Sequence, residues 1–341
     1  MIQEARARWW RKDAERIVCE LCPHHCRFKT EGARGLCGPR FRKEGELWTQ
    51  AWGGAGAVHL DPVEKKPLYH FLPGSWTYSL GMFGCNLSCV HCQNWSLSTE
   101  RKAMALPVPL SPTQIALAAL DQGATSVSFT YNEPLISAEF WIEVAQECHR
   151  YGLRIISVTN GYANPVCCKD FFSNMDATNV DLKGFSESFY RKVCKGRLAP
   201  VLKNLVVIRE LGTCHLEITN LLIPHQNDST EELRGLSKWV VANLGVDTPV
   251  HFSAFHPDFR AMDWNQATSR DVDRARAIAQ EEGLHYVYTG NVPKSRGSDT
   301  FCPSCGELLI ERGGFGVLES HLRQGKCPFC GLAVPGTFQV A

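Results

Sequence analysis

Between residues 77 and 289 the chain alternates apolar, β-branched segments with amphipathic ones, and this alternation limits the available folds more than any other feature. Strand-like segments recur at Thr77–Gly84, Ser126–Tyr131, Arg154–Thr159, Ala177–Leu182, His215–Ile223, Val250–Phe255 and His285–Thr289. Helix-like segments lie between them. Ser137 opens one that places Phe140, Trp141, Val144, Ala145 and Cys148 on a single face. Ser229-Thr-Glu-Glu opens another, which turns Leu233, Leu236, Trp239 and Val240 inward and ends at Gly245; a third runs from Thr268 to Glu282 and is closed by Gly283. Strand then helix, about six times over, predicts an α/β fold of parallel strands joined by right-handed crossovers. No Gly-rich phosphate turn follows the first strand, so a partial (β/α)6-type TIM barrel fits better than a doubly wound sheet. The barrel is expected over residues 73–292, with a Cys-rich segment before it (1–72) and a zinc-ribbon-like segment after it (293–341).

In such a fold the chemistry sits at the C-terminal ends of the strands. Polar residues collect there: Cys85 after the first strand, Asn132 and Glu133 after the second, Thr159 and Asn160 after the third. Asp181 and Lys183 close the fourth, His256 follows the sixth, and Gly290 and Asn291 end the seventh.

Charge and hydropathy exclude several classes. Lys+Arg (36) and Asp+Glu (35) leave a formal net charge of +1, which argues against nucleic acid or acidic lipid as the partner. No run of about 18 apolar residues is present to span a membrane, and Met1 to Ile17 lacks the apolar stretch of a secretion signal. The expectation is a cytoplasmic chain, where cysteines read as metal or redox sites before disulfides.

Eleven of the 16 cysteines fall in three clusters: Cys19, Cys22, Cys26 and Cys37; Cys85, Cys89 and Cys92; and Cys302, Cys305, Cys327 and Cys330. The middle one lies in Gly84-Cys-Asn-Leu-Ser-Cys-Val-His-Cys-Gln-Asn94, directly after a strand. Three thiolates are one short of a closed tetrahedral site. On a 4Fe-4S cluster they leave one iron open to a small molecule.

This loop resembles the C-x3-C-x2-C hallmark of the radical S-adenosylmethionine (SAM) family, in which the open iron binds the amino and carboxylate groups of SAM. The resemblance implies an oxidoreductase that cleaves SAM reductively to a 5′-deoxyadenosyl radical, which then abstracts hydrogen from a partner protein or a small substrate. It also implies an external electron donor such as flavodoxin or ferredoxin. Cys-Gln-Asn94 resembles the end of the cluster motif of pyruvate formate-lyase activating enzymes. Phe129-Thr-Tyr-Asn-Glu-Pro134 lies where those enzymes have Gly-Gly-Glu-Pro, which gives Glu133 the SAM amino group; Tyr131 and Asn132 replace the glycines. Thr159-Asn-Gly161 is similar to a third-strand Asp-Thr-Asn-Gly, with Val158 in place of the aspartate that helps bind a monovalent cation. Val180-Asp-Leu-Lys183 matches a fourth-strand motif whose lysine contacts the SAM carboxylate, and His256 matches a histidine near the ribose. The cofactor-binding set that follows is Asn94, Glu133, Thr159, Asn160, Asp181, Lys183, His256 and Asn291.

Over nearly its whole length the chain resembles the radical SAM member of the AmmeMemoRadiSam system. Shared stretches include Cys22-Pro-His-His-Cys26, Asp61-Pro-Val-Glu-Lys-Lys-Pro-Leu-Tyr-His70, Leu222-Ile-Pro224, Phe255-His-Pro-Asp258 and Gly290-Asn-Val-Pro293. This implies a link to Memo-like and AMMECR1-like proteins; a glycyl-radical protein is the other partner class, and modification of RNA or a metabolite the second use of the same chemistry. A rival of another kind is a zinc-organised binding or scaffold protein, which leaves the strand-end polar residues without a role.

The outer clusters differ from the middle one. Cys302-Pro-Ser-Cys-Gly306 and Cys327-Pro-Phe-Cys-Gly331 are zinc-knuckle turns that close a four-thiolate structural site, zinc first and iron second. Cys19, Cys22, Cys26 and Cys37 suit zinc or an auxiliary iron–sulfur cluster, with His24 or His25 able to replace one ligand. Residues 1–43 carry eleven basic and five acidic side chains with Trp9 and Trp10, read as a solvated lead-in in preference to a surface for an acidic partner. Cys148 and Cys214 read as core, and Cys167, Cys168 and Cys194 have no partner at ligand spacing. Lys65, Lys66 and His70 have no evident role.

Overall fold

In the computed structural model, residues 3–99, 110–293 and 295–339 are described. Eight strands form one sheet: β1 (Ala57–Pro62), β2 (Trp76–Gly81), β3 (Ser126–Phe129), β4 (Arg154–Thr159), β5 (Ala177–Asp181), β6 (His215–Leu222), β7 (Val250–Ala254) and β8 (Val287–Gly290). Their spatial order is their chain order. From β2 to β8 every pairing is parallel, and β1 lies antiparallel on β2 at the edge. All seven strands read from the sequence are present. β1 is the addition, and it belongs to the sheet although it lies within the stretch assigned to the Cys-rich segment.

Six helices make the crossovers: α1 (Pro112–Asp121), α2 (Ala138–Arg150), α3 (Pro165–Phe172), α4 (Leu198–Leu211), α5 (Thr230–Leu244) and α6 (Ser269–Glu281). Ser229 caps α5 by accepting from Glu232 N at 3.1 Å, as its sequence predicts. Asp271 holds the start of α6 by accepting from Thr268 N at 2.8 Å. Ser137 makes no such bond. A 3-10 turn over Pro134–Ser137 runs straight into α2, and its cap is Glu133, which accepts from Leu135 N.

Alternate residues of a strand face opposite ways. Ile155 and Val180 join the helix-side core, whereas Ile156 and Ala177 pack on the other face against Val63, Leu68, Phe71 and Leu72. Residues 63–72, which link β1 to β2, therefore cross the face of the sheet opposite the helices.

Glu217 of β6 pins this crossing. Its fully buried carboxylate accepts from Tyr69 N (2.9 Å), His70 N (2.7 Å), His215 Nε2 (3.0 Å) and His251 Nε2 (2.6 Å). Burial alone would raise its pKa, but the bonds from His215 and His251 outweigh burial and hold it well below the ordinary carboxylate range.

The C-terminal part adds a three-stranded antiparallel sheet (Thr300–Phe301, Leu308–Gly313, Gly316–Ser320). It clamps the crossing segment from outside. Arg312, fully buried, donates to Tyr69 O (2.8 Å) and Thr300 Oγ1 (2.8 Å), and Leu72 N donates to Thr337 O (2.6 Å). At the other end of the chain two small antiparallel sheets pack on the α2–α3 side. The lead-in is anchored there instead of solvated: Trp9 Nε1 donates to Asp170 (3.0 Å), and buried Arg40 pairs with buried Glu139. Among the described residues, no helix is long and apolar enough to cross a membrane.

His70 links the crossing to both neighbours. Its Nδ1–H donates to Pro335 O (2.7 Å), which leaves Nε2 to accept from Tyr288 Oη (2.6 Å). Burial lowers its pKa from 6.5 to about 4. Between those values the unfolded chain takes up a proton that the folded chain refuses. Stability is therefore lost as pH falls through this window, by up to about 3 kcal/mol. Thermal unfolding scanned from pH 6.5 to 4 is expected to show this slope, and His70→Gln to flatten it.

Candidate active site

At the C-terminal ends of β2–β8 the sheet opens on a cavity of about 810 Å³, within the size range of small-molecule and cofactor sites. The loop after β2 delivers Cys85, Cys89 and Cys92, half-buried, to its wall. Its departure from the strand is fixed by Asn132, which accepts from Met82 N (2.9 Å) and donates to Gly84 O (3.0 Å). Gly84 has φ +93, and a Cβ there would lie 2.3 Å from Cys37 O, so no other residue fits.

The cysteine sulfurs are turned toward backbone amides. Cys85 Sγ accepts from Leu87 N (3.4 Å), and Asn160 Nδ2 approaches it at 3.7 Å. Cys92 accepts from Asn94 N. Cys194, remote in sequence, donates its thiol hydrogen to Cys89, which lowers the Cys89 pKa. Among the described residues, these three thiols are not one of the groups of metal-ligating atoms gathered within 4.8 Å of one another.

Glu133 is the centre of the polar wall. At 2 % exposure it accepts from Leu135 N (3.0 Å), Thr159 Oγ1 (2.6 Å) and Asn160 N (2.8 Å), tying the end of β3 to the end of β4. Burial outweighs these donors and raises its pKa to about 7. Lys183 stands 2.9 Å from Asp181. Burial would lower the Lys183 pKa, but Asp181 and the thiols of Cys89 and Cys194 hold it well above the usual range.

Of the residues expected from the sequence, Cys85, Cys89, Cys92, Asn94, Glu133, Thr159, Asn160, Asp181, Lys183 and Asn291 all line this cavity. His256 does not. It is exposed, because Phe255 before it turns into the core.

The sequence reading missed a further part of the wall. Lys66, from the crossing segment, is 2 % exposed and lines the cavity. Its Nζ is 2.6 Å from Asp61, and burial lowers its pKa to about 8. Asp61 also accepts from Lys65 (2.9 Å) and from the hydroxyl of Tyr131. Burial would raise the Asp61 pKa, but these three partners outweigh it and hold the carboxyl well below its usual range. Tyr131 sits at φ +69, a conformation that favours glycine. The Lys-Lys pair before the first strand was the only signal in the sequence. Its partners lie 70 residues apart (Asp61 and Tyr131).

The residues fit a 4Fe-4S cluster with SAM. The loop offers three sulfurs and no fourth, Thr219 Oγ1 and His91 Nδ1 are buried on the cavity lining without a hydrogen-bond partner, and a poised carboxyl and a retained ammonium suit a zwitterionic ligand. At the far end of the chain, Cys302, Cys305, Cys327 and Cys330 lie within 4.8 Å of one another and can hold a metal ion. Their closest approaches are 3.5 Å (Cys302–Cys330) and 3.7 Å (Cys305–Cys327).

Comparison with known proteins agrees with this geometry. Residues 80–236 match the model of the Radical SAM superfamily. The chain is 38 % identical over 321 residues to the uncharacterized protein MJ0808 of Methanocaldococcus jannaschii, covering 94 % of this chain and 95 % of that one. It is 22 % identical to the pyruvate formate-lyase-activating enzyme of Clostridium pasteurianum, over 51 % of this chain and 72 % of the other. A radical SAM methyltransferase from Sphaerobacter thermophilus shares the fold, with a TM-score of 0.52 at 13 % identity over 90 % of this chain and 80 % of that one.

Removing the Glu133 carboxylate strands three buried donors. Glu133→Ala is expected to cost about 3 kcal/mol in urea unfolding, and Glu133→Gln, which keeps one acceptor oxygen, about half of that.

Proposed function

The chain belongs to the Radical SAM superfamily, and on that premise we propose that it is an oxidoreductase whose Cys85, Cys89 and Cys92 hold a 4Fe-4S cluster for reductive cleavage of SAM. The observation that carries this reading is the convergence of the three-thiol loop with the polar ends of β3, β4 and β5 on one cavity. When bound, the cluster and SAM supply a one-electron cleavage of the sulfonium and a radical that takes hydrogen from the substrate.

The chain's own residues bind and orient. Lys183 keeps its proton and meets a carboxylate, with Asp181 fixing its Nζ. Glu133, near half-protonated at neutral pH, becomes fully ionised as an ammonium approaches, so it favours a cationic group without standing as a bare buried charge. Asn160 spans the two halves of the site, with its amide N on Glu133 and its Nδ2 toward Cys85. Residues 63–72 cover the inner face of the sheet and exclude water from below. Seven parallel strands in chain order, with β1 and β8 at the edges of the sheet among the described residues, suit an open barrel. Lys66 adds a positive group to the cavity wall beside Tyr131, where an anionic part of the substrate would lie.

The resemblance to pyruvate formate-lyase activating enzymes and to the AmmeMemoRadiSam member supports a protein substrate or partner of the glycyl-radical, Memo-like or AMMECR1-like kind. The four C-terminal thiols suit zinc, because the 3.5 and 3.7 Å contacts match the spread of about 3.8 Å expected for a tetrahedron of ~2.3 Å bonds.

After anaerobic reconstitution with iron and sulfide, reduction in the presence of SAM is expected to release 5′-deoxyadenosine. Changing Cys85, Cys89 and Cys92 together to Ala should abolish the product; a variant that still made it would overturn the reading. Lys183→Ala should weaken SAM binding roughly tenfold in equilibrium dialysis, the loss of about 1.4 kcal/mol. Cys305→Ser with Cys330→Ser should remove one zinc per chain by metal analysis and lower Tm by roughly 5 °C.

A further inference from the structure

The N-terminal cysteines converge although nothing in the active-site chemistry calls on them. Cys19 ends a short strand (Arg16–Cys19), Cys22 and Cys26 follow in the next loop, and Cys37 comes from the turn before Arg40–Lys43. All four line a single void of about 10 Å³, room for one water-sized sphere. Cys19, Cys22 and Cys37 are buried and Cys26 is half-buried.

The sulfurs are arranged as ligands. Backbone N–H groups of His24, Leu36 and Arg40 donate to Cys22, Cys26 and Cys37 respectively. The His24–Cys22 bond, from the residue two positions on, recurs at Cys85 with Leu87, Cys305 with Glu307 and Cys330 with Leu332. Arg40, 1 % exposed, borders the void with Nη1 3.7 Å from Cys19 Sγ, and its buried Nε has no hydrogen-bond partner. The guanidinium also pairs with buried Glu139, so it offsets part of the negative charge that four thiolates bring to a metal centre.

Spacing decides what the centre is. Among the described residues the C-terminal thiols are the group gathered within 4.8 Å of one another, whereas the N-terminal four surround a void that takes a water-sized sphere. Sulfurs bound to one zinc at ~2.3 Å leave no space for a water-sized sphere between them. A cube of iron and sulfide holds each cysteine on a different iron, so the sulfurs stand apart around an occupied middle.

We propose that Cys19, Cys22, Cys26 and Cys37 bind a second 4Fe-4S cluster, ligated by protein at every iron and therefore closed to SAM. Its position suits one-electron exchange with the active-site loop. Cys37 O stands 2.3 Å from where a Cβ on Gly84, next to Cys85, would lie, and His24 Nε2–H donates to Asn86 O at 2.7 Å. Leu36 and Cys37 line both this void and the large cavity. A low-potential one-electron donor reduces the closed cluster by one electron, and passage of that electron to the neighbouring site restores the oxidised form, with no bond made or broken.

The role rests on the proposed function, but the presence of the cluster does not, so the test is made where the SAM site is destroyed. The full chain carrying Cys85→Ala, Cys89→Ala and Cys92→Ala is reconstituted anaerobically with iron and sulfide. It is expected to retain about four iron and four acid-labile sulfide per chain, a brown chromophore, and a paramagnetic signal on reduction. Adding Cys26→Ser, the least buried ligand, should at least halve the retained iron and sulfide while the circular dichroism spectrum is unchanged. Absence of sulfide from the triple variant, zinc in place of iron at this site, or sulfide unaffected by Cys26→Ser would overturn the proposal. Iron without sulfide would report only the C-terminal thiols and would equally overturn it.

Discussion

A carboxylate buried at the middle of a sheet is costly unless every oxygen is met by a donor. Glu217 is such a carboxylate, and its donors come from two neighbouring histidines and from the backbone of residues 69 and 70. The crossing segment therefore cannot leave the sheet without stranding the charge. Much of the molecule follows from this. Holding Tyr69 and His70 in place puts Lys66 on the cavity wall, presents Tyr69 O to Arg312, and gives the C-terminal sheet a surface to close on.

The same segment explains how a sheet with one apolar face and one polar face is completed. Helices cover the outer face with a continuous core. The inner face carries Glu217, Thr219, His251 and Ser253 toward its open end, which apolar packing could not cover without burying unpaired groups. Residues 63–72 fill the lower part and leave the upper part as the cavity. Stability and the site thus share a boundary, with His70 and Glu217 below it and Lys66 and Glu133 above.

The three cysteine clusters separate by geometry more than by count. Four thiols drawn together at the C-terminus suit one ion. Three thiols spread on a loop at a strand end leave a position for a ligand. Four thiols near the N-terminus line one small void. Each set uses amides to orient sulfur, so the difference lies in how far the surrounding backbone holds the sulfurs apart.

The seven parallel strands, the order of the crossovers and ten of the eleven expected cavity residues of the active-site loop and strand ends were legible in the sequence. Each depends on a pattern of short range: β-branched runs, caps such as Ser229 with Glu232, and polar residues just past a strand. The exceptions have physical reasons. Ser137 does not cap α2 because Glu133, four residues earlier, supplies the bond through a 3-10 turn. His256 turns outward because Phe255 takes the core position. β1, the bonds of Glu217 to Tyr69 and His70, and the Asp61–Tyr131 contact join residues far apart in the chain, where periodicity carries no information. The sequence by itself determined which side chains stand at strand ends and how the cysteines group. Tertiary structure alone decided which of them share a cavity, how far apart the sulfurs are held, and that a connecting segment would become the floor of the site, because those outcomes depend on satisfying buried charge across the fold.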